Sequence, residues 1–104
     1  MSDYEIVLQL IDEIQSVLSQ LLSSGFMAAH DFTVKELKRL KICAESYNLA
    51  YAAEKLGFLY ERLEGKRHKF QFDYTECIKE YCMLNEYCSI CKNQLNILAV
   101  RNQE

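Results

Sequence analysis

Residues 74–100 of the chain read YTECIKEYCMLNEYCSICKNQLNILAV, a run that contains neither glycine nor proline. Apolar side chains recur in it at alternating spacings of three and four residues: Tyr74, Cys77, Tyr81, Leu84, Cys88, Cys91, Leu95 and Leu98. This heptad spacing places all of them on one stripe of a single long helix. Three of the five cysteines therefore lie on a predicted core face.

The composition of the whole chain agrees with long helices that are joined by few turns. Its 104 residues include no proline and three glycines, and 50% of them are apolar. This length and composition are typical of one folded domain, residues 1–104, and not of a disordered chain. No stretch has the roughly 20 apolar residues of a membrane-spanning helix, so we expect no membrane partner.

The first predicted helix covers about residues 4–23. Its apolar side chains follow a heptad pattern that is widened on one flank: Val7, Leu10, Ile11, Ile14, Val17, Leu18, Leu21 and Leu22. Gly25 follows the last turn, where glycine suits the left-handed residue just past a helix end. We therefore expect this helix to bury one broad face.

The second and third predicted helices cover about residues 34–47 and 49–64. Asn48 separates them, because asparagine is the next best residue after glycine for a left-handed helix end. We expect Thr33 to cap the second helix, with Phe32 packing against Leu37 as a hydrophobic staple. The predicted core face of this helix consists of Leu37, Leu40, Ala44 and Tyr47.

The third helix contains an internal glycine, Gly57, which costs about 1 kcal/mol relative to alanine in a helix interior. Its apolar stripe nevertheless stays in phase across that position. Together with the small residues Ala50, Ala52 and Ala53, Gly57 indicates that a neighbouring helix approaches closely.

Four amphipathic helices with short connections predict an all-α fold, an antiparallel up-down four-helix bundle with a long C-terminal helix. The last helix, about residues 74–100, should be near 39 Å long, since an α-helix rises about 1.5 Å per residue. It would extend beyond the second and third helices, so we expect its end to pair with the first helix or with a second subunit. Met83 and Ile90 lie off its main stripe and indicate apolar surface beyond one face.

The cysteines are the strongest candidates for chemistry. Cys88 and Cys91 lie one turn apart on one helix face, which is half of a thiolate metal site, and Cys43 is a candidate third ligand. A complete site needs two further ligands, whereas buried free cysteines commonly act as small apolar side chains. We therefore expect no bound metal and no cofactor, and a thiolate metal-binding bundle is the weakest alternative.

Catalytic patterns are not visible in the sequence. The only histidines, His30 and His68, are both predicted in loops, and no Glu-x-x-His pair, nucleophile-bearing turn or glycine-rich phosphate loop is present. We therefore expect that the protein is not an enzyme. The odd number of cysteines, without a paired spacing, favours reduced thiols and a cytoplasmic location.

Charge is distributed unevenly along the chain, whose net charge is −3. Residues 1–34 contain five acidic side chains and neither lysine nor arginine. In an antiparallel hairpin, the start of the second helix and the end of the third lie at one end of the bundle. The basic residues that this geometry brings together are Lys35, Lys38, Arg39, Lys66, Arg67 and Lys69.

These features predict a small cytoplasmic helical module that binds a protein partner, with a homodimer as one form of that interaction. The basic end would orient such contacts and speed encounter. The alternative is a regulator that binds nucleic acid through the same basic end. Acidic residues are interspersed there and would repel phosphate, so the protein partner is favoured.

Overall fold

A computed structural model of the chain describes residues 3–25, 31–65 and 74–103, and in these ranges the chain is helical with no β-strand. The helices are α1 (Asp3–Ser24), α2 (Asp31–Ser46), α3 (Ala50–Gly65) and α4 (Thr75–Gln103). The predicted all-α, four-helix class is thus confirmed. None of the described helices is long and apolar enough to cross a membrane.

Each helix packs against two neighbours, and together they enclose one core. α1 contacts α2 and α4, α3 contacts α2 and α4, and the α2–α3 pair is the most extensive. The buried apolar side chains of this core come from all four helices: Leu10, Ile11, Ile14, Val17, Leu18, Leu21, Val34, Leu37, Leu40, Ala44, Ala52, Ala53, Leu56, Leu59, Leu63, Cys77, Leu84 and Cys88.

The contacts between α3 and α4 run in opposite order along the two helices. Tyr51 stacks near Tyr87, with ring centroids 4.8 Å apart. One turn further along α3, Lys55 pairs with Glu80 at 2.6 Å. At the end of α3, Arg62 reaches Glu76 at 3.0 Å. This order is that of an antiparallel pair, while the up-down arrangement of all four helices stays a prediction.

The predicted turn between α2 and α3 is confirmed at Asn48, whose φ is 61°. The amide of Leu49 donates to the carbonyl of Ala44 at 2.9 Å, which closes the end of α2. Gly25, after α1, has a φ of 79° and is the second residue predicted to be left-handed. Both positions follow from local chemistry, because they end helices.

The predicted start of α2 is wrong. The helix begins at Asp31, so Thr33 lies inside it and does not cap it. Thr33 is buried and donates its hydroxyl proton to the Oε1 atom of Gln20 on α1 at 3.4 Å. Phe32 is 67% exposed, which contradicts its predicted burial in a staple with Leu37.

Three side chains that were predicted on core faces are exposed instead: Leu22, Tyr47 and Leu98. Leu22 lies at the edge of the stripe of α1, and Tyr47 follows the last helical residue of α2. Leu98 lies in the last turns of α4, and Leu95 before it is only half-buried. α2 and α3 have 16 residues each, so they span about 24 Å and leave the end of α4 uncovered.

Candidate interaction surfaces

The cysteines are all free, and their environments differ. Cys77 and Cys88 are fully buried in the core, Cys43 and Cys91 are half-buried, and Cys82 is exposed. Burial raises the pKa of the Cys88 thiol to about 12, and the neighbouring Cys91 adds to this rise. A thiol with a raised pKa is a poor metal ligand and a poor nucleophile, because both roles require the thiolate.

The described part of the chain brings no three histidine, cysteine, aspartate or glutamate side chains together in a group that could hold a metal ion. Cys43 therefore does not complete a site with Cys88 and Cys91 there. His30 and His68 lie outside the described residues. The arrangement around Cys88 is that of a packed apolar core, in which the thiols fill space.

A polar cluster links α3 to α4 next to this core. The ring of Tyr87 packs against Tyr51, and its hydroxyl hydrogen-bonds with Cys91; burial and this hydrogen bond raise the pKa of Tyr87 to about 12. The ammonium of Lys55 lies 5.3 Å from the centre of the Tyr51 ring and pairs with Glu80. These contacts join two helices.

The basic residues of α2 border a hollow between α2 and α3. Its lining combines cationic, apolar and acidic groups: Lys35, Lys38, Arg39, Ile42, Tyr60 and Glu64. Ile42 is 53% exposed, and the Lys38 ammonium lies 5.7 Å from the centre of the Tyr60 ring. We call this the α2–α3 surface. Sequence reasoning found its cations but missed Ile42 and Tyr60, whose proximity depends on how the two helices pack.

Arg39 is held in place by carboxylates. Its guanidinium donates to Glu36 at 2.8 Å and lies 3.7 Å from Glu13 on α1. The hydrogen bond to Glu36 is the main cause of a raised Arg39 pKa. The free cationic character of the α2–α3 surface therefore comes mainly from Lys35 and Lys38. The other predicted members of the basic cluster, Lys66, Arg67 and Lys69, lie outside the described residues.

A second surface lies on α4, on the side that faces away from the core. Met83, Ile90 and Ile97 follow one another at seven-residue spacing on this side. Ile90 is 55% exposed and Ile97 is 48% exposed, while Met83 is half-buried. We call this line the outer α4 face. The sequence pattern pointed to Met83 and Ile90, and the same spacing would have identified Ile97.

Comparisons with protein-family models, with curated proteins and with solved structures find no match to this chain. The fold and the surfaces define an all-α bundle of four helices. Its function therefore has to be inferred from the surfaces themselves.

Proposed function

We propose that this protein is a small, non-catalytic helical module that binds a protein partner through the α2–α3 surface. The observation that carries the proposal is the exposure of Ile42, which lines the same hollow as Tyr60, Lys35 and Lys38. An exposed apolar residue beside an aromatic ring contributes binding energy when a partner covers it.

The charges around the hollow indicate the chemistry of that partner. Since Arg39 is paired with Glu36 and Glu13, the cations left along its edge are Lys35 and Lys38, against the carboxylate of Glu64. An acidic segment with one large apolar side chain would cover Ile42 and place its carboxylates near the lysines. Complementary charge of this kind speeds association and rejects basic partners, while the apolar contact supplies most of the affinity.

Nucleic acid is the alternative ligand for the same cations. Phosphate binding relies on several cations that are free to release counterions. On the described part of this surface, Arg39 is already paired with two carboxylates, and Glu64 lies in the same hollow. With Lys35 and Lys38 as the main free cations beside the exposed Ile42, a short acidic segment with an apolar side chain suits the surface better than a phosphate backbone, which needs several free cations. Nuclease treatment during a pull-down distinguishes a protein partner from nucleic acid.

The test is an affinity pull-down from lysate of the source cells, with and without nuclease, using the wild-type chain and matched variants. Lys35→Glu and Ile42→Ser change the proposed surface. Lys79→Glu and Ile78→Ser make the same chemical changes at exposed positions of α4. All four side chains are exposed, so we expect the bundle to fold in every variant.

We expect the same proteins to be recovered with and without nuclease, and at least tenfold less of them with Lys35→Glu or Ile42→Ser. The α4 controls should recover wild-type amounts. Recovery that disappears after nuclease treatment would move the function to nucleic acid. Equal recovery by all four variants would mean that the α2–α3 surface is not the binding site.

A further inference from the structure

The outer α4 face is complementary to itself. Ile90 and Ile97 lie at equal distances from the midpoint between Asn93 and Gln94. Glu86 lies four residues before Ile90, and Arg101 lies four residues after Ile97. From Glu86 to Arg101 the sequence of this face is therefore symmetric about its midpoint in size and opposite in charge at its two ends, and Met83 lies outside this segment.

A two-fold axis through that midpoint would pair two copies of α4 in antiparallel fashion. In this register Ile90 meets Ile97 of the second copy, and Glu86 meets Arg101 of the second copy. Two-fold symmetry repeats each contact, so both copies use the same surface patch for the interface. The amides of Asn93 and Gln94 meet at the axis, where each can donate and accept hydrogen bonds.

Charge selects this direction over the parallel one. Glu86 and Arg101 are both exposed, and neither takes part in an ion pair within the described residues. In a parallel pair with the helices in register, Glu86 would face Glu86 and Arg101 would face Arg101, which is repulsive. The antiparallel pair instead forms the Glu86–Arg101 contact twice, and opposed charges of this kind set orientation in helix pairs.

The exposed isoleucines supply the apolar contribution. Residues seven apart on a helix are displaced by only about 20° around its axis, so Ile90 and Ile97 form one line. The segment from Glu86 to Arg101 is about 24 Å long at 1.5 Å per residue. An interface of this length is small, and interfaces below about 1,200 Å² are typical of weak, reversible association.

We propose that two copies of this protein form a weak antiparallel dimer through the outer α4 face. It is centred between Asn93 and Gln94, with Ile90 packed on Ile97 and Glu86 paired with Arg101 across the two-fold axis. This surface shares no residue with the α2–α3 surface. The dimer and the proposed partner binding can therefore fail independently.

The test is sedimentation equilibrium over a range of protein concentration, in reducing buffer because Cys82 is exposed. The chain has a mass of 12.2 kDa, so the dimer has twice that mass. We expect the mean mass of the wild type to rise toward the dimer value between about 10 and 500 µM, which covers weak dissociation constants between the micromolar and the millimolar range. A mass that stays at the monomer value throughout would overturn the proposal.

Matched variants locate the interface. Ile97→Ser should weaken the dimer at least tenfold, whereas Ile78→Ser should not, although both isoleucines are 48% exposed on the same helix. Equal effects of the two variants would contradict this site. Both variants should keep the helical circular dichroism of the wild type, since neither changes a buried side chain.

Charge reversal tests the register. Glu86→Lys and Arg101→Glu should each weaken the dimer, more strongly at low salt, because each places like charges together. The double variant Glu86→Lys/Arg101→Glu exchanges the two charges and should restore dimerisation. If the single variants dimerise like the wild type, or if the double variant is no better than either single one, the antiparallel register is wrong.

Discussion

At the scale of the residue, the predictions from residue type agree best with the structure at the ends of α1 and α2. Asn48 and Gly25 were predicted to be left-handed from their residue types, and both have positive φ angles. Thr33 did not follow the capping rule, because its hydroxyl finds Gln20 on α1 and the helix starts before it. A cap can be predicted from a short sequence window only when no tertiary partner competes for the same side chain.

At Gly57, too, the surroundings of the residue depend on a neighbouring helix. A Cβ atom at this position would lie 2.9 Å from Cε and 3.1 Å from Cδ of Lys41 on α2. The group that lies closest to this position is therefore the flexible end of a lysine side chain, and the predicted close approach of a neighbouring helix backbone stays a prediction. The Lys41 side chain also pairs with Glu45 on its own helix, in an exposed contact of 2.7 Å.

We predict that Gly57→Ala stabilises the protein by about 0.5–1 kcal/mol, because alanine is the better helix former. The Lys41 side chain can move aside, and an exposed pair such as Lys41–Glu45 contributes little to stability. Urea denaturation measures the change. Gly57→Ala in a Lys41→Ala background is the control, and a gain that appears only there would show that Lys41 cannot move.

At the scale of the element, the heptad pattern of α4 predicted a helix correctly. It did not predict where along this helix the apolar stripe stops being buried. Cys77, Leu84 and Cys88 are fully buried, Cys91 packs against the core, and Leu98 is 47% exposed. The spacing is the same throughout, so the pattern alone cannot show this change. The lengths of the neighbouring helices decide which turns of α4 have something to pack against.

We predict that two leucines of this one stripe differ strongly in their contribution to stability. Leu84→Ala should lower the free energy of unfolding by about 2–5 kcal/mol, the usual cost for a fully buried leucine. Leu98→Ala should cost less than about 1 kcal/mol, because half of its surface is already in water. Urea denaturation at low micromolar concentration compares them without contribution from self-association. Similar losses would mean that the end of α4 is buried after all.

At the scale of the whole molecule, several groups in or beside the core hold their protons more tightly in the folded state. Burial raises the pKa of Cys88 from 9.0 to about 12 and that of Tyr87 from 10.0 to about 12. The hydrogen bond that the Lys55 ammonium donates to the Glu80 carboxylate raises the pKa of Lys55 above its ordinary value of 10.5. Between its unfolded and folded pKa, each group is protonated only in the folded chain, so rising pH favours unfolding.

We predict that stability is constant with respect to these groups below pH 9 and falls progressively as the pH rises toward 12. The loss should begin near pH 9 with Cys88, and Tyr87 and Lys55 should add to it above pH 10. Urea denaturation in reducing buffer at intervals between pH 8 and 10.5 measures the slope. Cys88→Ala should lower stability at pH 8 but flatten the slope between pH 9 and 10. An unchanged slope would contradict the assignment to Cys88.

The sequence by itself determined the class of the fold, the approximate extent of the helices and the residue types that end α1 and α2. These properties depend on periodicity and on local backbone chemistry, both of which act over a few residues. The apolar spacing also determined which side chains share a face of each helix. It left open which part of that face would be covered.

Only the tertiary structure decided how those faces are used. It placed Ile42 and Tyr60 in the lining of one hollow, left Leu98 about half exposed, and buried Cys88 so that the pKa of its thiol is raised. Each of these outcomes depends on the lengths and relative positions of separate helices, which are set by packing between residues distant in the chain. The burial of a side chain depends on the helices that pack against it, and the sequence of its own helix does not specify where those helices lie.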